Sequence, residues 1–275
     1  MTRGVNVIVL AGNGINCEYE TSHACMLAGA QRVDVVHIYE LLAGERTLDD
    51  YHILCLPGGF LDGDDLGSAK ACANRFRHAT VRATGEAFWE QLMRFIHLGK
   101  LILGICNGFQ LMVKLGLIPA LEGAYGEQTV TLTVNDSGRF EDRWVHLKVN
   151  SASPCIFMRD IDEIYLPVRH GEGKFLPADS SLLRKLSEKG LICIQYADEV
   201  YSDITMEYPL NPNGSVGAVA GICDETGRLF GLMPHPEAYH HRTNHPRWNR
   251  ERLPEEGAGV AIFRNAVNYS KRCLL

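Results

Sequence analysis

The nine cysteines of this 275-residue sequence include no C-x-x-C pair and are scattered from Cys17 to Cys273. That scatter suits a reducing compartment and argues against a disulfide framework or a zinc site. No uninterrupted apolar run reaches about 18 residues, the length a membrane helix needs. Even 98–121 is broken by Lys100, Asn107, Gln110 and Lys114. The opening segment MTRGVNVIVLAGNG has an apolar run too short for a secretory signal. Positive charge is not in excess. The 27 Lys and Arg face 33 Asp and Glu, a net charge of −6, so no global basic field invites nucleic acid or an anionic membrane. There is no P-loop, no internal repeat, no low-complexity tract and no Pro/Gly/Ser linker. What remains is the expectation of a soluble, cytoplasmic protein with one domain over residues 1–275. Its 46% of hydrophobic residues suffices for a sizeable core.

The first 120 residues alternate β-branched runs with helical stretches. VNVIVLA (5–11), VDVVHI (33–38), HILCLP (52–57) and LILGI (101–105) read as buried strands. Between them 17–30, 64–78 and 86–98 read as helices, the arrangement of a parallel sheet covered on both faces. From about 127 the pattern changes to TVTLTVN, RWVHLKVN, EIYLPVRH, ICIQYAD and VGAVAGICDETGRLFGLMPH, which read as hairpins and sheet-edge strands. A closing helix over 257–270 follows. The fold class expected is α/β, an open, mostly parallel sheet with helices on both faces and antiparallel additions.

Gly104-Ile105-Cys106-Asn107-Gly108 matches the G-x-nucleophile-x-G form of a sharp strand-to-helix turn. Such a turn lifts Cys106 above the carboxyl end of the sheet, where open α/β folds bind ligands. The helix that follows aims its amino terminus at the sulfur and favours thiolate. On the turn alone, Cys106 reads equally as one more buried cysteine, like Cys55, Cys193 or Cys223. A thiolate nucleophile also wants a histidine and a group to orient it. In GLMPHPEA (231–238), Met233 and His235 each precede a proline and are pushed toward extended backbone. Residues i and i+2 of an extended segment share a side, so Glu237 can accept the second ring N–H of His235. In CLPGGFLDGDD (55–65), a strand runs into Pro57-Gly58-Gly59 and can turn an N–H into the cleft. Gly59 and Asn107 then form a two-donor oxyanion hole. Each signal is weak by itself. Together they specify acyl transfer through a thioester, with Cys106 attacking and His235 moving the proton.

These residues resemble those of the class I, triad-type glutamine amidotransferases, whose fold is flavodoxin-like. The similarity spans nearly the whole chain, through GNGINCEYET, LPGGFLDGDDLG, GICNGFQLMVKLGLIP, RHGEGKF (169–175), YPLNPNGS (208–215) and AGICDETGRLFGLMPHPE. GICNGFQ, HGEG and NPNGS point, within that family, to the glutaminase subunits of phosphoribosylformylglycinamidine synthases. The resemblance implies a Cys106–His235–Glu237 triad, L-glutamine as substrate, and Gln110 with His170, Gly171 and Glu172 as substrate contacts. It implies no cofactor or metal in this chain, with ATP and magnesium on a partner synthase subunit, and a small accessory subunit as a further candidate partner. It places Asn211 to Ser215 near the partner or the ammonia exit, while Pro-Asn-Gly chemistry alone reads as a surface turn. Two departures concern interfaces. Ala238 stands where compact members carry Arg, and 79–97 and 239–258 look longer than in those members.

Rival readings stay in the same architecture or leave it. A γ-glutamyl hydrolase, or the glutaminase of another synthase, would share the triad. A thiol sensor or scaffold would not need HPE. GNGINC (12–17) ends in Cys17 where a dinucleotide fingerprint needs glycine, and no acid suits the end of strand two. His241 and His245 have i, i+4 spacing with His240 beside them, but without an acidic or cysteine cluster a solvated loop explains them.

Overall fold

A computed structural model describes residues 4–275. Residues 1–3, the start of the segment read as too short for a signal, lie outside the described residues. The four expected strands of the first half are β1 (Asn6–Ala11), β2 (Arg32–His37), β3 (Ile53–Leu56) and β4 (Leu101–Ile105). The helices among them are α1 (Glu18–Leu27), α2 (Ile38–Ala43), α3 (Lys70–His78), α4 (Phe88–His97) and, after β4, α5 (Asn107–Lys114). The second half supplies β5 (Val130–Thr133), β6 (Glu141–Val149), β7 (Glu163–His170), β8 (Lys174–Pro177), α6 (Ser180–Glu188), β9 (Ile192–Tyr196), β10 (Val219–Cys223), β11 (Leu229–Leu232) and α7 (Val260–Cys273).

Nine strands form one sheet in the order β2-β1-β3-β4-β11-β10-β9-β6-β7, while β5 and β8 form a separate antiparallel ribbon. From β2 to β11 every pairing is parallel, and beyond β11 every pairing is antiparallel. Only β6 and β10 therefore run against the other strands of that sheet. The buried runs Ile53–Leu56 and Leu101–Ile105 explain the middle of the sheet, because strands covered on both faces have no polar alternation. The β1-to-β2 crossover and the β3-to-β4 crossover leave in opposite directions along the sheet, so right-handed connections put their helices on opposite faces. Accordingly α1 packs with α7, whereas α3 packs with α4 and α5.

Three expectations need correction. The strand leading to His235 is not at a sheet edge: β11 lies at the centre, parallel to β4, with Leu232 opposite Ile105. Helix α3 starts at Lys70 rather than near 64, because Asp62, Gly63, Gly67 and Ala69 take positive φ and spend that stretch on turns. The NPNGS segment is not a surface turn, since Asn211, Asn213 and Ser215 are buried.

Close approach of α5 to the sheet requires a glycine. A Cβ on Gly108 would stand 1.9 Å from the Leu56 carbonyl oxygen, which β3 holds rigidly. Gly108→Ala should therefore cost about 3 kcal/mol, the upper range for overpacking, read as a lowered urea midpoint. An unchanged midpoint would show that α5 can ride outward freely.

Candidate functional site

Loops at the carboxyl ends of β1, β3, β4 and β11 converge on one cavity of about 110 Å³. Cys106 caps α5 with φ 51° and ψ −102°, a conformation that non-glycine residues rarely hold and that clusters at functional sites. Its backbone N–H donates to the Leu232 carbonyl at 2.8 Å, which locks the turn to β11. Its sulfur, on a residue only 5% exposed, lies 3.6 Å from the Arg169 carbonyl oxygen.

Three residues beyond Leu232, His235 is held by its N–H on the Pro167 carbonyl at 2.8 Å. Residues Pro236–Ala238 form one 3₁₀ turn rather than the extended segment expected. The turn still brings Glu237 back onto the ring, with His235 Nδ1 2.6 Å from Glu237 Oε1. An ionised carboxylate only accepts, so Nδ1 carries the proton and Nε2 is left as the working nitrogen. Nε2 is buried and has no hydrogen-bond partner among the described residues. Burial pulls the imidazole pKa down, but the charges of Glu237 and Cys106 outweigh it and hold the pKa well above the ordinary histidine value. The triad members expected from sequence are thus brought together, His235 and Glu237 at 2% and 1% exposure.

Of the two expected oxyanion donors, Gly59 lines the cavity and Asn107 opens α5 directly after Cys106. Gly59 has φ 144°, and its N–H has no hydrogen-bond partner among the described residues. The loop is held from outside: Asn16 N–H reaches the Gly58 carbonyl at 3.4 Å, and Phe60 N–H reaches the Gly14 carbonyl at 2.7 Å. The Asn107 N–H is one of the free donors of the first turn of α5. The Asn107 side chain ties the two loops, accepting from Leu61 N–H at 3.1 Å and donating to Gln110 Oε1 at 3.0 Å.

Gln110 then donates through Nε2 to the Glu172 carbonyl at 2.6 Å, fixing the 170–173 loop against α5. Gln110, His170, Gly171 and Glu172 all line the cavity, as do Asp64 and Arg169. His170 is pushed down to about 3 by burial and by His235, so it is neutral in the protein. Its Nδ1 is 3.2 Å from Asn135 Oδ1, while Nε2 has no partner among the described residues. The Asp64 carboxyl is raised by burial and by the Glu172 charge across the cavity. Chemically the arrangement can hold an acyl group on sulfur, shuttle one proton and receive an oxyanion.

Sequence reasoning missed the role of the 12–17 loop. Asn16 lines the cavity, and Cys17 Sγ sits 4.0 Å from His235 Nδ1. The glycines of GNGINC resemble a partial nucleotide fingerprint, whereas the loop braces the loop of Gly58 and Gly59.

Glu237→Gln removes the charge that most strongly raises the His235 pKa. The imidazole titration, followed by its ring-proton resonance, should move to lower pH in that variant. A titration left in place would mean that the carboxylate does not set the imidazolium.

Comparison with known proteins agrees with this geometry. Residues 4–270 match the model of the CobB/CobQ-like glutamine amidotransferase domain. The chain is 44% identical over 273 residues to the phosphoribosylformylglycinamidine synthase subunit PurQ of Methanococcus maripaludis strain C5, covering 96% of this chain and 97% of that protein. It is also 44% identical to the PurQ subunit of Dehalococcoides mccartyi, covering 98% of each. A chain in the structure of PurLQS from Thermotoga maritima superposes with a TM-score of 0.68 at 26% identity, over 97% of this chain and 99% of that one. With the match running from Gly4 to Ser270, this chain belongs to the CobB/CobQ-like glutamine amidotransferase family.

Proposed function

We propose that this chain is the glutamine-hydrolysing subunit of a phosphoribosylformylglycinamidine synthase. The observation that carries the reading is the end-to-end match to PurQ subunits at 44% identity, on a chain whose Cys106 and His235 line one cavity with Glu237 bonded behind the ring. The same match favours a synthase subunit over a γ-glutamyl hydrolase. A scaffold or thiol sensor would have no use for a buried, oriented His–Glu pair.

In this reading Cys106 Sγ attacks the side-chain carbonyl carbon of glutamine. The oxygen, becoming negative, takes the N–H groups of Gly59 and Asn107, and such donors are worth about 10²–10³-fold each in comparable enzymes. His235 Nε2 passes its proton to the leaving nitrogen, the C–N bond breaks, and ammonia departs. Water, deprotonated by the same nitrogen, then cleaves the thioester to glutamate and free thiolate. Glu237 holds the ring and stabilises its charged form. Asp64, Glu172 and Arg169 line the cavity, and the acidic pair offers a partner for the ammonium end of an amino acid.

Ammonia delivered from here would be used on a partner synthase subunit, where the ATP and magnesium that amide activation needs would be held, since this sequence carries no P-loop. Among the described residues no helix is long and apolar enough to cross a membrane. The basic stretch 239–252 is proposed to face the partner. It is tethered by His245, whose ring packs 5.5 Å from Trp144 and 5.4 Å from Tyr165, and Trp248 is 50% exposed beside it.

The test is a complex reconstituted with a synthase subunit. Cys106→Ala should abolish glutamine-dependent synthesis and retain synthesis from ammonium salt. Loss of both would make Cys106 a structural residue and remove the basis of the proposal.

A further inference from the structure

Cys17 stands on the far side of the His235 ring from the triad's working nitrogen. Its sulfur is 4.0 Å from Nδ1, and Nδ1 is 2.6 Å from Glu237 Oε1. One donor atom from each of Cys17, His235 and Glu237 lies within 4.8 Å of the others. Two further observations make this more than a chance approach. Glu237 Oε2 is buried and has no partner among the described residues, so the second carboxylate oxygen is uncommitted. Gly58 leaves the space: a Cβ there would meet His235 Cε1 at 2.7 Å and Cys17 Sγ at 3.3 Å. The donor set of thiolate, imidazole and carboxylate is that of a borderline-soft divalent ion.

We infer that Cys17, His235 Nδ1 and Glu237 form a binding site for zinc, and that a zinc ion there takes the triad out of service. The geometry needs only small movements. Zinc–ligand bonds of about 2.0–2.3 Å in a tetrahedron place donors roughly 3.5 Å apart. Cys17 closes on the ring by about half an ångström, and the Glu237 carboxylate rotates to offer Oε2 while Nδ1 and Oε1 separate. The fourth position falls to water. From the neutral ring, binding releases one proton to solvent, that of the Cys17 thiol, while the Nδ1 proton moves to Nε2; from the imidazolium the Nδ1 proton is also released. With the metal on Nδ1, the remaining ring proton sits on Nε2, and the imidazole no longer has a lone pair to offer near neutral pH. Cys17 is half-buried rather than sealed in, so the ion has a route to the site from the surface.

The loss of activity rests on the glutaminase reading above; the site itself does not. The test therefore reads binding first. The full chain is titrated with zinc against a chromophoric chelator, and with cobalt to detect the sulfur charge-transfer band, in wild type, Cys17→Ala, Cys17→Ser and Cys106→Ala. Circular dichroism confirms that each variant is folded, and the serine variant stands in if the alanine variant is not. Wild type and Cys106→Ala should bind one ion with similar affinity and show the band. The Cys17 variants should lose the band and weaken by more than the roughly 10–100-fold that losing an outer-shell partner costs. Unchanged affinity in the Cys17 variants overturns the proposal. So does a site lost with Cys106→Ala alone, which would place the ion on the nucleophile. Glutamate release inhibited by zinc and restored by EDTA is the expected second readout. Inhibition that persists undiminished in Cys17→Ser contradicts the proposal, whereas a folded chain, with or without a synthase subunit, that binds zinc but releases no glutamate contradicts only the glutaminase reading.

Discussion

Cys106 donates its backbone N–H to Leu232, one step past the last pair of β4 and β11, and that bond ties the nucleophile's turn to the strand that ends in the general base. The parallel pairing of β4 and β11 brings residues 129 positions apart in sequence to adjacent strand ends. The turn depends on the missing Cβ atoms at Gly104 and Gly108, two positions away on each side. At Gly104 one would meet Met112 Sδ at 2.5 Å, and at Gly108 the Leu56 carbonyl. The strained φ of Cys106 is over-determined by β4, β11 and α5 together, so the sulfur is presented without the chain having to move.

The 170–173 loop is held by a buried polar network. Asn135 Nδ2 donates to the His170 carbonyl at 2.8 Å, and its Oδ1 accepts from Gly173 N–H at 2.9 Å. Asn213 Nδ2 donates to the Gly173 carbonyl at 2.9 Å and to the Tyr196 hydroxyl at 3.0 Å. Ser215 Oγ accepts from Phe175 N–H at 3.0 Å and donates to Asn213 Oδ1 at 2.7 Å. Buried amides that satisfy one another in this way specify one arrangement, because losing any one leaves the others unpaired. NPNGS is therefore a bracket behind the cavity wall that carries Gly171 and Glu172.

Much of this was legible in the sequence, for identifiable reasons. Continuous apolar runs such as ILCL and LILGI mark strands buried on both faces, and glycines flanking Cys106 mark the turn. What was not legible depends on pairing between distant segments. The central place of β11 follows from its parallel contact with β4, while locally it looks like the second arm of a hairpin. Helix α6 carried its own signal, with Asp179 accepting from Leu182 N–H at 2.9 Å and buried Leu182 and Leu186 four apart. Strand-like segments on both sides mask that signal. Helix α2 has only six residues, too few for a period to show. The 12–17 loop looked like a failed nucleotide fingerprint, and nothing in its spacing could place Cys17 beside a histidine 218 positions away.

The most direct test of the central claim is to trap the covalent intermediate. The chain, with a synthase subunit present, is mixed with isotopically labelled glutamine, quenched in acid within the turnover time, digested and mapped by mass spectrometry. The label should appear as a glutamyl thioester on the peptide that holds Cys106 and on no other cysteine peptide. Label on the Cys17 peptide, or glutamate produced with no adduct on Cys106, would contradict nucleophilic catalysis at the β4–α5 turn.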